Sequence, residues 1–194
     1  MSFIILPGEH KDDWAFENGK EVLCIPLNKK ANGAVAVVDA SDAAKVSGKI
    51  WTYNGRYVQT SIPTGTGYDP YKGLLLHRLI MDAPDGMHVD HIDHDTLNNC
   101  RSNLRLCTPG ENRRNQKMRK DSQHRYKGVS FHSDKAFKKW QAKIRVDGVK
   151  ISLKYHLTEE EAALAYNEAA LKYHGEFALL NEVSDGSDNS ARCA

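Results

Sequence analysis

Residues 88–115, "HVDHIDHDTLNNCRSNLRLCTPGENRRN", pass from strand and turn patterns into a helix start. The segment 87–92 is typical of a strand, 93–99 of a polar loop, and 103–108 of a returning strand with alternating apolar residues. Thr108, Pro109 and Glu111 then mark a helix, because threonine caps the N-terminus, proline suits the first turn, and the glutamate completes a capping box. The predicted order is therefore strand, loop, strand, helix.

The same stretch contains the side chains that phosphodiester hydrolysis requires. Hydrolysis needs a base that takes a proton from water and a cation that neutralises the charge building on the leaving oxygen. Histidine suits the first role because its ordinary pKa lies near neutrality, and carboxylate and amide oxygens suit a hard divalent cation. Asp90, His91 and Asn112 offer this combination. Asn115 lies on the same helix face as Asn112 and is the alternative ligand.

Two features of the strand limit this interpretation. Neighbouring residues of a regular strand point to opposite faces, so Asp90 and His91 can meet one phosphate only if the strand bends or ends there. His88, His91 and His94 recur every three residues, which raises the alternative of a zinc site. On a strand and loop that spacing does not converge, and His88 and His94 are expected to face solvent.

The stretch from "LHRLIM" to "ENRRN" resembles the HNH endonucleases of the phage and intron homing type, which fold as a ββα-metal motif. By this resemblance His91 is the general base, Asp90 and Asn112 hold the metal, and Asn103 braces the loop and orients His91. The implied cofactor is a divalent metal ion, Mg²⁺, with Mn²⁺ as the alternative. The supporting residues are His77, Arg78 and Asn115.

The net charge of +2 hides an asymmetry along the chain. Residues 101–154 contain 16 Lys and Arg against 4 Asp and Glu, a balance of +12, which leaves −10 for the rest. A segment this basic attracts polyanions through counterion release, so duplex DNA is the predicted partner. An RNA-binding module is the weaker alternative, since no motif for stacking single-stranded bases is evident.

Residues 126–183 form a second module. Three short strands are predicted at 129–131, 140–146 and 150–154, with Asp147-Gly148 as a tight hairpin signal. A helix from Thr158 to His174 follows, and Thr158 and Glu161 form its capping box. The alanine-rich face of this helix is expected to pack on the sheet; a partner-binding helix is the alternative.

The order of "YKGV", "KKWQAKI", "TEEEAALAYNEAALKYHG" and "LN" resembles the ethylene-response-factor type DNA-binding domain (APETALA two family). That resemblance implies a sheet in the major groove with the helix behind it, and the groove is wide enough for such a sheet. Ser130 and His132 stand where plant-type members have arginines, which affects base specificity. Trp140 either stacks on a sugar or packs in the core. The predicted DNA contacts are Arg113, Arg114, Lys117, Lys127, Lys143, Arg145, Lys150 and Lys154.

The predicted fold class is α+β, a ββα-metal HNH nuclease module followed by a three-stranded antiparallel sheet packed on one helix. The predicted organisation is a segment of unassigned role (1–32), an HNH nuclease domain (33–116), a basic linker (117–125), an ethylene-response-factor-type domain (126–183) and a disordered tail (184–194).

The predicted function is hydrolysis of phosphodiester bonds in duplex DNA by a metal-dependent HNH homing-type endonuclease. The alternative is a non-catalytic, sequence-specific DNA-binding protein with a degenerate HNH scaffold. No stretch has the length of apolar sequence that a membrane helix requires, so no membrane partner is expected. A monomer in the cytoplasm is favoured, which would be the bacterial host's cytoplasm if a phage or intron encodes the chain.

Overall fold

The computed structural model describes residues 14–17, 20–27, 33–65, 69–118, 122 and 124–183. The predicted tail at 184–194 and most of the segment 1–32 lie outside the described residues. The chain divides into two compact units, Met1–Pro109 and Gly110–Ala194. Small antiparallel sheets and short helices make up both, which confirms the α+β class. No helix in the described ranges is long and apolar enough to cross a bilayer.

The first unit begins with a three-stranded antiparallel sheet in the order β1-β2-β3, formed by Trp14–Glu17, Lys20–Pro26 and Val35–Asp39. A short 3₁₀ turn at Ala40–Asp42 leads into α1, Ala43–Val46. Strands β2 and β3 alternate apolar residues towards the core, where Leu23, Ile25 and Val38 are almost fully buried. The residues after position 20 therefore have a core role that the sequence did not reveal.

The second sheet has the order β4-β5-β6, formed by Thr52–Tyr53, Val58–Pro63 and Tyr71–Leu75. Its first hairpin turns at Asn54-Gly55, and Gly55 has the positive φ of 90° that such a turn favours. Helix α2 covers only Leu76–Ile80. Residues 73–75, which belong to the same apolar segment, are strand rather than helix because they pair with β5 as the end of β6.

The third sheet of this unit is the two-stranded hairpin of β7, His88–His91, and β8, Leu104–Cys107. Its register pairs Asp90 with Arg105 and His91 with Leu104. A 3₁₀ turn at Arg101–Asn103 returns the chain to β8. Helix α3, Pro109–Asn115, begins at the residue that follows Thr108, as predicted.

The second unit contains a three-stranded sheet in the order β11-β10-β9, formed by Val129–Phe131, Trp140–Val146 and Val149–His156. Its hairpin turns at Asp147-Gly148, where both residues have the positive φ of a type I′ turn. Helix α4, Glu159–His174, packs on one face of the sheet through Ala162, Ala163, Tyr166 and Ala170. A three-stranded sheet packed on one helix is thus confirmed.

Helix α4 has the predicted capping signals. The Thr158 hydroxyl accepts a hydrogen bond from the Glu161 amide at 3.1 Å, and the Glu161 carboxylate accepts one from the Leu157 amide at 3.1 Å. The cap therefore satisfies two backbone donors at the helix entrance. The helix ends at Gly175, which has a φ of 55°.

Gly128 fixes the start of this sheet. Its φ is 76°, and a Cβ atom there would lie 2.1 Å from the Tyr166 ring and 2.7 Å from the Lys143 carbonyl oxygen. The Gly128 carbonyl accepts a hydrogen bond from the Lys143 amide at 2.8 Å. Only glycine allows both this backbone conformation and this close approach.

Candidate active site

Strand β7 presents two polar residues side by side in the core of the hairpin. Asp90 and His91 are 7% and 5% exposed, although residues in their positions on a regular strand would face opposite ways. The strand ends at His91, and the next ladder bond runs from the Ile92 amide to the Asn103 carbonyl at 2.9 Å. The strand therefore ends at His91, which is the condition for Asp90 and His91 to face the same phosphate.

Asp90 is paired across the hairpin with Arg105. The Arg105 Nε and Nη2 groups both donate to Asp90 Oδ2, at 3.0 and 2.7 Å. Both side chains are largely buried, so this is a charge-assisted pair with little solvent screening. Arg105 was not among the predicted site residues, although its place in the register opposite Asp90 follows from the hairpin pattern.

His91 is held by a hydrogen bond that the sequence did not predict. Its Nε2 lies 3.3 Å from Oδ1 of Asn99, a fully buried residue. Asn99 Nδ2 donates to the carbonyls of Thr96 and Leu97, so its amide orientation is set and Oδ1 must face the imidazole. The Asn99 oxygen can only accept, which places a proton on Nε2 and leaves Nδ1 as the basic nitrogen of His91.

Two aromatic rings pack beside His91. The His77 ring lies 5.1 Å from it at an edge-on angle, and the Tyr57 ring lies 6.3 Å from it, nearly parallel. Burial lowers the pKa of His91 below its ordinary value of 6.5, against the opposing effects of the Asn99 hydrogen bond and nearby carboxylates. A neutral imidazole at physiological pH is the form that can accept a proton.

His77 and Arg78 of helix α2 support the hairpin. His77 is buried, and desolvation together with the neighbouring His91 and Arg78 lowers its pKa to about 3. Arg78 Nη1 donates to the Met87 carbonyl at 2.6 Å, and its Nη2 donates to the carbonyls of Ala83 and Pro84. Arg78 thus fixes the turn that leads into β7.

Asn103 braces the loop that links the two strands. Its Oδ1 accepts from the Asp93 amide at 3.0 Å, and its Nδ2 donates to Asp93 Oδ1 and to the Asn98 carbonyl, both at 2.9 Å. Asp93 and Asp95 cap the amides of Asp95 and Leu97 in turn. These contacts tie the loop together, but His91 Nε2 is hydrogen-bonded to Asn99, and the role of Asn103 in orienting His91 stays a prediction.

The loop is also attached to the first sheet. The Val37 amide donates to the Leu97 carbonyl at 2.9 Å, and the Asn99 amide donates to the Val37 carbonyl at 2.7 Å. Arg101 forms a two-bond contact with the buried Asp42 carboxylate, at 2.8 and 2.7 Å, and also donates to the Ile80 carbonyl. Strand β3 and the turn after it therefore hold Asn99, and through it His91, in place.

Two further histidines, His88 and His94, flank His91 in the chain, and the His94 amide donates to the His91 carbonyl at 3.1 Å. His88 is exposed and His94, with a φ of 67°, is half-buried in the loop. Within the described residues, no group of three or more His, Cys, Asp or Glu side chains could hold a metal ion. The predicted ligands Asp90 and Asn112 include only one side chain of these four types, so the absence of a larger cluster does not bear on them.

The oxygens of Asp90 and Asn112 suit a hard divalent cation. Asn112 and Asn115 belong to the second unit, and their approach to Asp90 stays a prediction. In that unit Lys127 Nζ donates to the carbonyls of Arg114, the penultimate residue of α3, and of Gln116, the residue after the helix. Burial lowers the pKa of Lys127 to about 8. The ammonium group of Lys127, predicted as a DNA contact, is thus hydrogen-bonded to backbone carbonyls at the end of α3.

The remaining predicted DNA contacts fall into two sets. Arg114 pairs with Asp147 at 3.0 Å, while Arg113 and Lys117 are exposed. On the sheet face opposite α4, Lys143 pairs with Ser152 and Arg145 with Lys150, which is exposed. Lys154 is also exposed, but it has a φ of 76° and lies where the register shifts, so the predicted alternation does not extend to it. Trp140 packs against the core and lies edge-on to Phe131 at 5.0 Å, which agrees with the core interpretation.

Comparison with known proteins identifies the segment that contains this hairpin. The HNH endonuclease family model matches residues 75–114. An uncharacterized HNH endonuclease of Acanthamoeba polyphaga mimivirus is 39% identical over 110 residues, 56% of this chain and 55% of that protein. The chain therefore spans about half the length of that relative.

A second relative is matched over most of its length. Protein 3.8 of Escherichia phage T7 is 32% identical over 113 residues, which are 56% of this chain and 91% of that protein. No solved structure gives a significant match. The matched family segment contains the Asp-His pair, the loop asparagines and the start of α3. By these comparisons residues 75–114 are an HNH endonuclease family segment, and the chain is similar to two viral proteins over more than half of its length.

Proposed function

We propose that the chain is a metal-dependent DNA endonuclease of the homing type that uses its C-terminal module to bind duplex DNA. The observation that carries this proposal is the buried, neutral imidazole of His91, oriented by Asn99 and adjacent to a carboxylate. Such an arrangement supplies a general base on a rigid hairpin. The substrate would be a phosphodiester bond of duplex DNA.

Each residue has a defined part in the proposed reaction. Nδ1 of His91 takes a proton from water, and the oxygen attacks phosphorus in line as the bond to the leaving 3′ oxygen breaks. Asn99 keeps the proton on Nε2, and Asn103 keeps the loop folded. Asp90 and Asn112 would hold the divalent ion, Mg²⁺ first and Mn²⁺ second, which supplies charge neutralisation at the phosphate.

The test is a plasmid-nicking assay with Mg²⁺, Mn²⁺ or EDTA. Replacing His91 with alanine should lower the cleavage rate by about 10²- to 10⁴-fold, the usual contribution of a general base, while duplex binding is retained. His88→Ala is the matched control, because His88 lies on the same strand but is exposed. Equal loss of cleavage and binding in His91→Ala would contradict the assigned role.

One observation favours a second candidate function, a non-catalytic DNA-binding protein on an HNH scaffold. Asp90 Oδ2 already accepts two hydrogen bonds from Arg105, so a cation at this carboxylate would share it with a guanidinium group. The nicking assay separates the two functions. Duplex binding without cleavage in any divalent ion would support the second.

The DNA-binding part of the proposal rests on the basic sheet face of the second unit. Lys143, Arg145 and Lys150 lie on the face opposite α4, exposed Lys154 lies at the register shift of the same hairpin, and a sheet of this size fits the major groove. We place the nuclease domain at 33–116, the linker at 117–125 and the DNA-binding domain at 126–183. Competition with duplex RNA tests the nucleic-acid class, since preference for RNA would contradict this assignment.

A further inference from the structure

The hairpin tip, residues 54–57, joins β4 to β5 and is held by its own hydrogen bonds. Oδ1 of Asn54 accepts from the amides of Arg56 and Tyr57 at 2.9 and 2.8 Å. The Asn54 amide donates to the Tyr57 carbonyl, and Asn54 Nδ2 donates to Gln59 Oε1, both at 3.2 Å. These bonds hold the backbone of the hairpin tip in a single conformation.

This rigid tip places Tyr57 against the imidazoles of the site. The Tyr57 ring centroid lies 5.0 Å from that of His77 and 6.3 Å from that of His91. Tyr57 is half-buried, so one side of its ring contacts the site while the rest remains accessible. The hairpin tip is therefore part of the wall around His91.

Arg56 extends this wall with a positive charge. Its guanidinium carbon lies 5.1 Å from the Tyr57 ring centroid, a cation–π contact. This separation and the 6.3 Å between Tyr57 and His91 place the charge at most about 11 Å from the His91 ring. Arg56 is exposed, and none of the ion pairs among the described residues involves it.

A guanidinium group in this setting suits a phosphate. It presents planar donors that bind phosphate oxygens in pairs, and its stacking on an aromatic ring limits its motion. The phosphates of one strand rise by roughly 3.4 Å per nucleotide along a duplex axis, so neighbours of a phosphate at His91 lie within about 11 Å. With an upper bound of about 11 Å from the His91 ring, the charge on the hairpin tip is within reach of an adjacent phosphate.

We propose that Arg56 binds a backbone phosphate of the DNA strand next to the phosphate that is cleaved, with Tyr57 as the ring that positions its guanidinium. The proposal rests on the proposed nuclease function for the location of the DNA. It adds a contact that fixes the register of the strand over His91.

The experiment measures binding of a labelled duplex at several salt concentrations, using the full chain with His91→Ala so that no cleavage occurs. In this background Arg56→Gln should weaken binding by about tenfold, as expected for the loss of one charged hydrogen-bonding contact. The slope of log affinity against log salt should fall by about 0.9, the value for one phosphate contact. Arg56→Lys keeps the charge and should keep the slope.

Lys72→Gln is the matched control. Lys72 is exposed on β6 and pairs with Ile62, several residues along β5 from the hairpin tip. It removes one charge from the same sheet and should leave affinity and slope unchanged. The proposal would be overturned if Arg56→Gln left the salt slope as in the parent, or if it lowered the affinity no more than Lys72→Gln does.

The result can be separated from that of the nicking assay. If the protein does not nick plasmid but Arg56→Gln lowers the salt slope of duplex binding, the phosphate contact is supported and the nuclease function is refuted. A chain that nicks plasmid while Arg56→Gln keeps the full slope refutes the phosphate contact alone. A chain that binds no duplex overturns both.

Discussion

At the scale of single residues, two buried imidazoles dominate the site. His77 and His91 both have pKa values below the ordinary range because burial penalises the imidazolium form. Two neighbouring cations would also repel each other, which further favours the neutral forms. The neutral form is the one that the proposed general base requires, and the consequence for stability is a sensitivity to acid.

Replacing His77 with glutamine is expected to reduce the acid sensitivity of folding. The folded pKa is about 3 and the unfolded value is 6.5, so below pH 6.5 only the unfolded state takes up the proton. Stability therefore falls as pH drops from 6.5 towards 3, by about 1.4 kcal/mol per pH unit from this group. Between pH 7 and pH 5, the free energy of unfolding measured in urea should therefore fall by about 2 kcal/mol less in His77→Gln than in the parent.

The control for this measurement is His88→Gln. His88 is exposed on β7, so its replacement makes the same chemical change outside the buried pair of imidazoles. If His77→Gln loses as much stability between pH 7 and pH 5 as the parent does, then the imidazole of His77 does not titrate as described.

The sequence predicted the residues of the hairpin better than their partners. His91, Asp90 and Asn103 follow from chemistry and resemblance, because they fall in one short quoted stretch. Asn99 lies in the same stretch, and two adjacent asparagines at the end of a polar loop were the signal for it. Tyr57 lies more than thirty positions before His91 in the chain, and no local pattern links residues that only the tertiary fold brings together.

At the scale of elements, β9 depends on one glycine. Gly128→Ala should destabilise the second unit by about 3 kcal/mol or more, because the new methyl group would overlap the Tyr166 ring and the Lys143 carbonyl. Gly148→Ala is the matched control: its φ is 84° but a Cβ atom would meet nothing within 4 Å, so only about 1 kcal/mol of backbone strain is expected. Equal losses in urea unfolding would show that the close contact at Gly128 is unimportant.

The attachment of the loop between β7 and β8 to the 3₁₀ turn after β3 gives a second prediction. Arg101→Met removes the partner of the buried Asp42 carboxylate and should cost about 2 kcal/mol, less than for a fully buried pair because Arg101 is partly exposed. Arg101→Met with Asp42→Asn should lose less than the two single variants together, by about 1 kcal/mol in urea unfolding. Additive losses would mean that the two side chains act independently.

The strands of the second unit were the most predictable elements. Alternation set the inward residues of β10, and Asp147-Gly148 set its turn, since both are local signals. β11 is longer than predicted, and 73–75 became strand rather than helix, because pairing with a neighbouring strand decides these ends. β2 was missed for the same reason: its short apolar run becomes recognisable only when paired with β3.

At the scale of the whole molecule, DNA binding should depend on the sheet face of the second unit. Lys143→Gln with Arg145→Gln should reduce the salt slope of duplex binding by about 1.8, the value for two phosphate contacts. Lys172→Gln removes an exposed charge from α4, which packs on the other face, and should leave the slope unchanged. An unchanged slope in the double variant would remove this sheet from the DNA interface.

The position of α3 in the chain limits how the protein can be divided. The family segment ends at residue 114, but the carbonyls of Arg114 and Gln116 receive their hydrogen bonds from Lys127, at the start of the following module. A chimera with its breakpoint just after residue 114 would replace Lys127 and so remove the donor to these carbonyls at the end of α3. Recombinants that exchange recognition modules among relatives should therefore tolerate junctions before Pro109 better than junctions between Gln116 and Lys127.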